Sequence, residues 1–322
     1  MVLASDLDPF YNGAARLRGP GARTFVSTEK EQTTVLHTVE SANQRLGFPA
    51  DARLLIINAD DFGMCCAENE ATIQTIRTGV ATSCTIMAPC PWSLHAIQLL
   101  KAHPEIPFGV HLTAVSEHAC YRWGPLTPRH EVPSLVDEAG YFYSEARITE
   151  FLPRASLAEL ETEFRAQIEA VLASGLRPTH LDSHCLVHTR REDVFDMTVG
   201  LAREYGLALR VGNVRYMDRM EKWGLPTDDH PTLDSYRLEA RDKPFLYPKL
   251  LRELPAGLSE WAIHPAIGSA ELQAIAPEWE VRQADLDFFT SEPARDIIAE
   301  EGIILLSYRP LQQLMLGSLP AV

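Results

Sequence analysis

The chain reads as an α/β protein, a distorted or incomplete (β/α) TIM-like barrel with a mainly parallel sheet. Three observations predict this. From Leu54 onward, apolar strand-like runs alternate with amphipathic segments, the pattern of βα units around a parallel sheet. Seven such runs fall within about 270 residues, close to what a (β/α)8 barrel needs. Acidic residues and histidines gather where the runs stop, the end at which parallel sheets bind ligands. An open doubly wound sheet is the alternative.

Residues 1 to 30 hold Gly-Ala-Ala, Gly-Pro-Gly and scattered charge without periodicity. Residues 1–50 are therefore expected to be an N-terminal arm, and 51–322 the main domain. Within the arm, 31–46 predicts a helix with Val35, Val39 and Leu46 on one side, ended by Gly47 and Pro49. Strands are expected at 53–58, 82–87, 107–112, 177–183, 207–212, 260–264 and 303–308. Helices are expected at 67–78, 92–102, 156–174, 191–205 and 292–301. Two stretches, 114–152 and 213–257, break the alternation. Loops this long in a compact domain are usually functional.

The formal net charge of −15 argues against nucleic acid or an anionic membrane as a main partner. No run is long enough to span a bilayer, and Met1–Asp6 has neither the basic nor the apolar region of a signal peptide. The six cysteines form no CxxC pair and suit buried thiols in a reducing cytoplasm, the expected location. An arm of this kind often packs on a second subunit, so a homodimer is expected.

Asn58-Ala59-Asp60-Asp61-Phe62-Gly63 follows the apolar run Leu54–Ile57. Two adjacent carboxylates where a hydrophobic strand ends must be paired or bound to a cation. One is a candidate metal ligand and its neighbour a candidate base; a helix cap or satisfied strand-end Asp is the competing reading. His111 ends the third strand within Gly-Val-His-Leu-Thr, where a satisfied core histidine competes with a ligand. In the fourth, Thr179-His180-Leu181-Asp182-Ser183-His184, period-two alternation puts His180, Asp182 and His184 on one face. His184, nearest the strand's end, is the ligand candidate; Asp182 and His180 read as groups that support a ligand. Asp61, His111 and His184 make a mixed oxygen–nitrogen set suited to Zn, Ni, Co, Fe or Mn. His264, kept extended by Pro265 at a strand mouth, is a candidate acid, with a structural histidine as the alternative. Arg282 is a candidate partner for Asp60 or a grip on substrate, with a surface salt bridge as the alternative. Trp123 and Tyr121 are candidate platforms for a sugar ring, or else anchors for their own loop.

Asn58–Gly63, Gly109–Thr113, Thr179–His184 and His264-Pro265 occur in the order seen in the YdjC-like (ChbG/HpnK) carbohydrate deacetylases, which this chain resembles over roughly residues 45–315. The resemblance implies a distorted barrel and a metal-dependent hydrolase that removes an N-acetyl group from an amino sugar or oligosaccharide. It implies Asp61, His111 and His184 as metal ligands, Asp60 as general base and His264 as general acid. One divalent ion, Zn, Mg, Ni, Co or Mn, is the expected cofactor. The pattern departs at Leu186, where members acting on chitin-type oligosaccharides carry a further His, and this leaves the identity of the acylated amine open. The alternatives are a metal-dependent barrel enzyme of other chemistry (an isomerase, or a phosphoester or other amide hydrolase) and a non-catalytic sugar-binding protein.

Overall fold

The computed structural model describes residues 41–317. Among these residues eight strands form one sheet: β1 Arg53–Phe62, β2 Ser83–Ile86, β3 Phe108–Leu112, β4 His180–Ser183, β5 Ala208–Leu209, β6 Leu233–Asp234, β7 Gly257–Ile263 and β8 Ile304–Leu306. The order is β5-β4-β3-β2-β1-β7-β6, with β8 paired to β1, and every pairing among these strands is parallel. β7 pairs with β1 from Arg53 to Ala59. β8 pairs with β1 at Leu54–Ile56, and β2 with it from Asn58 onward. β1 is buried almost throughout, which explains its near-continuous apolar sequence.

The sheet is curled rather than flat. β5 and β7 stand five strand steps apart, about 24 Å in a flat sheet. Yet Arg210, just past β5, places its Nε 2.7 Å from Glu260 Oε1 on β7. Only an incomplete barrel brings those strands face to face, and among the described residues no pairing joins β5 to β6. Gly109 on β3 permits close packing inside it, because a Cβ there would lie 2.6 Å from the His180 carbonyl oxygen.

The five predicted helices are present as Cys66–Thr78, Ser93–Ala102, Leu157–Ala173, Glu192–Tyr205 and Glu292–Glu300. The two stretches expected as loops are partly ordered into elements. Residues 114–152 contain two 3-10 turns and the start of helix Ile148–Arg154, and 213–257 contain helices Val214–Lys222 and Lys243–Arg252 with β6 between them. Residues 41–50 belong to the body: Ala42, Leu46 and Phe48 pack with Leu54, Ile56, Leu258, Tyr308 and Leu311. Of the helix expected at 31–46, only Ala42–Leu46 falls among the described residues and is helical; the remainder, and the rest of the arm, lie outside them. No helix among the described residues is long and apolar enough to cross a membrane.

Candidate active site

In a regular strand, neighbouring side chains point to opposite faces, so Asp60 and Asp61 would not serve one site. The end of β1 is irregular. Its register with β2 shifts between Ala59 and Phe62, and Asp61 adopts φ 62°. This left-handed conformation is rare outside Gly and best tolerated by Asn and Asp. The bulge lets both carboxylates line one cavity of ≈ 730 Å³. Gly63, at φ 105°, continues the turn; a Cβ there would crowd the Met87 carbonyl and Ser93 Cα, each at 3.3 Å.

Asp61 Oδ1 lies 3.3 Å from His111 Nε2 and 3.1 Å from His184 Nδ1. The three side chains are buried, with donor atoms within 4.8 Å of one another. His111 Nδ1 is 2.7 Å from Asp182 Oδ1, so the carboxylate takes that N–H and leaves Nε2 toward Asp61. His184 is aimed by a 3-10 turn whose next two residues, Cys185 and Leu186, hold φ 53° and 54°. Such strain in non-glycine residues persists where surrounding structure enforces it. Glu117 bonds His184 Nε2. Burial opposes charge on His111, yet the Asp182 carboxylate outweighs it and holds the ring's pKa up at about 9. Burial likewise opposes ionised Asp61, and the Arg282 guanidinium overrides it, keeping that carboxyl well below its ordinary range.

Arg282 corrects an expectation. Its Nη1 donates to Asp61 Oδ2 at 2.8 Å, and it also meets Glu68 at 2.6 Å and Glu117 at 3.3 Å. It is not the partner of Asp60, because the bulge turns the two carboxylates to different neighbours, and it is no surface salt bridge, since it is 1% exposed. Arg210 serves Asp60 instead, with Nη1 2.6 Å from Oδ2 and Nη2 2.8 Å from Oδ1. The same guanidinium reaches Asp182 at 2.8 Å and Glu260. Asn58 Nδ2 adds a 2.8 Å bond to Asp60. His264 Nε2 stands 3.9 Å from Asp60 Oδ2, directly after β7.

Other expected residues are elsewhere. His180 lies deeper in the barrel, stacked on Tyr308 with ring centroids 3.7 Å apart, so sharing a strand face did not bring it to the metal-type cluster. Burial holds its ring neutral, with the pKa pushed down to about 3. His188, four residues past His184, bonds Ser183 Oγ and the Arg210 carbonyl, and burial lowers it to about 4. The unfolded chain therefore takes up protons at both rings before the fold does. Their contribution to stability is lost as pH drops below about 6.5; Tm series from pH 7.5 to 5 on wild type and His180→Phe check this, with the variant expected to lose less toward acid than wild type. Trp123 and Tyr121 are not sugar platforms: Trp123 is 3% exposed, with Nε1 donating to the Val115 carbonyl, and the Tyr121 hydroxyl donates to the Met64 carbonyl. Neither lines the cavity; both anchor their loop.

Glu117, Arg210, Glu68, Ser235 and Asp285 were not singled out from sequence. Arg210 carried a readable signal, a cation inside the apolar run Leu207–Val211. Glu117 sits in a long segment with no periodicity to flag it.

The sequence model of the YdjC-like protein family matches residues 54–300. A carbohydrate deacetylase of Enterococcus faecalis is 34% identical over 266 residues, 80% of this chain and 97% of that protein. One from Geobacillus stearothermophilus is 34% identical over 263 residues, covering 81% and 99%. A chitooligosaccharide deacetylase of Serratia marcescens is 29% identical over 80% of this chain and 99% of its own length. A crystal structure from Enterococcus faecalis, described as a proposed cellobiose-phosphate cleavage protein, superposes with TM-score 0.70 at 32% identity, covering 81% of this chain and 99% of that one. The chain therefore belongs to the YdjC-like family, with curated carbohydrate deacetylases among its relatives.

Proposed function

We propose that this chain removes the N-acetyl group from an amino sugar or oligosaccharide by metal-dependent hydrolysis. One observation carries the reading: Asp60 and His264, 3.9 Å apart, share a cavity with the convergent donors of Asp61, His111 and His184. An acid–base pair beside a cation-type donor set suits metal-assisted amide hydrolysis.

The donor set fits a divalent ion. His111 offers Nε2 because Asp182 occupies Nδ1, and Asp61 offers Oδ1 because Arg282 occupies Oδ2. A cation there competes with protons for the two rings. Two imidazoles with one carboxylate favour Zn, Co or Ni over Mg. An ion held by Asp61, His111 and His184 would supply Lewis-acid polarisation of the scissile carbonyl.

The protein's own groups do the rest. Arg210 and Asn58 hold Asp60 with one face toward the cavity, placed to take a proton from the attacking water. His264 Nε2 faces the same space, placed to protonate the leaving nitrogen. Asp182 and Arg282 orient the ligands, and Arg282 also balances the charge of Asp61 and Glu117.

The test is acetate release from N-acetylglucosamine oligomers, with and without chelator. Acetate is expected, lost on chelation and restored by one of Zn, Co, Ni, Mn or Mg. Sugar turnover without acetate would favour isomerisation and overturn the proposal, as would chelator-resistant deacetylation.

A further inference from the structure

His264 needs a defined tautomer to act as an acid, and the residues behind it supply one. Ser235, fully buried, follows β6; Asp285, also fully buried, lies on helix Trp279–Phe289. Asp285 Oδ2 accepts from Ser235 Oγ at 2.5 Å and from the His264 backbone N–H at 2.8 Å. Asp285 Oδ1 accepts from Lys243 Nζ at 2.7 Å and Tyr247 Oη at 2.5 Å. Four donors therefore surround Asp285. Its carboxylate takes the Ser235 hydroxyl proton, so Ser235 Oγ can only accept at His264 Nδ1, 3.0 Å away. The Nδ1 atom must then carry hydrogen, leaving Nε2 to exchange a proton in the cavity.

Resting on the deacetylase reading, we infer that Ser235 and Asp285 are positioning residues that lock His264 as the Nδ1–H tautomer with Nε2 aimed at the leaving group. Lys243 offsets the charge of Asp285, so the relay acts by orientation more than by field. Tyr236, with its ring centroid 5.2 Å from that of His264, and Asp60, 3.9 Å from Nε2, also face the ring. In the step, protonated His264 gives its Nε2 proton to the amide nitrogen as the C–N bond breaks. The ring is left neutral, with Nδ1–H still on Ser235. The proton Asp60 took from water then returns to Nε2, so amide and water yield carboxylic acid and amine.

Two measurements on the full chain test this. Nitrogen NMR with labelled histidine should show neutral His264 of the wild type as the Nδ1–H tautomer, and Ser235→Ala should lose that preference. A wild-type Nε2–H tautomer overturns the inference whatever the activity. Kinetically, Ser235→Ala should lower kcat on an N-acetyl sugar by about 10- to 100-fold with little change in KM. Hydrolysis of 4-nitrophenyl acetate, whose leaving group needs no proton, should hold within about twofold. Ser235→Thr, which keeps the hydroxyl, should recover most of the loss. Equal loss on both substrates, or on neither, overturns the inference. A wild type with the Nδ1–H tautomer but no acetate release would instead overturn the deacetylase reading.

Discussion

Asp60→Asn should keep one cation per chain while lowering kcat by about two to four orders of magnitude. The amide keeps the shape of the carboxylate and one oxygen for Asn58 Nδ2 and Arg210 Nη2, which now reach Oδ1 at 2.8 Å each. It cannot take a proton from water. Arg210 remains held by Asp182 and Glu260, so the barrel stays intact. The cation-type donors belong to Asp61, His111 and His184, none of which the substitution alters. Asp61→Asn makes the contrast, since it weakens the donor set itself and should lower metal content and turnover together. Metal analysis of the purified variants alongside acetate assays separates the two. Full activity in Asp60→Asn would remove this carboxylate from the chemistry.

The parts of this site that were legible in the sequence are those where chemistry conflicts with burial. Charge at the end of an apolar run marked Asp60 and Asp61. A histidine closing a strand marked His111 and His184, and Pro265 placed His264 at a strand mouth. Geometry that breaks the periodic rules was not legible. Strand alternation alone separates Asp60 from Asp61, and only a bulge with Asp61 at φ 62° reunites them. The same irregularity decides which arginine each carboxylate meets, so the expected pairing of Arg282 with Asp60 failed. β6 is two residues long, too short for a hydrophobic pattern, and it hid Ser235 with it. His180 shows the converse error: its strand face was read from periodicity, but its depth in the barrel depends on how far the sheet curls. Trp123 and Tyr121 failed as sugar platforms because buried N–H and O–H groups must find partners, and here the backbone carbonyls of Val115 and Met64 are those partners.

Arg210→Met should be the most destabilising single change at this end of the barrel, costing about 3–5 kcal/mol. The guanidinium is 2% exposed and is the shared cationic partner of Asp60, Asp182 and Glu260. Removing it leaves three carboxylates buried together, two of them fully. The surface offers a contrast: Arg165 pairs with Glu204 at side-chain exposures of 35% and 53%, and Arg165→Ala should cost under about 1 kcal/mol. Arg210→Lys should not rescue, because an ammonium cannot span Asp60 with two parallel N–H bonds while also holding Glu260. The pH dependence gives a sharper check. Burial already pushes Glu260 up to about 7 despite Arg210, and without the guanidinium both Glu260 and Asp182 move higher in the folded state. A folded pKa above the unfolded one means stability that is complete at low pH and declines as pH rises. The difference in Tm between wild type and Arg210→Met should therefore be smaller at pH 5 than at pH 8. A gap that is constant or widens toward acid would mean that the buried carboxylates do not depend on Arg210 for their charge.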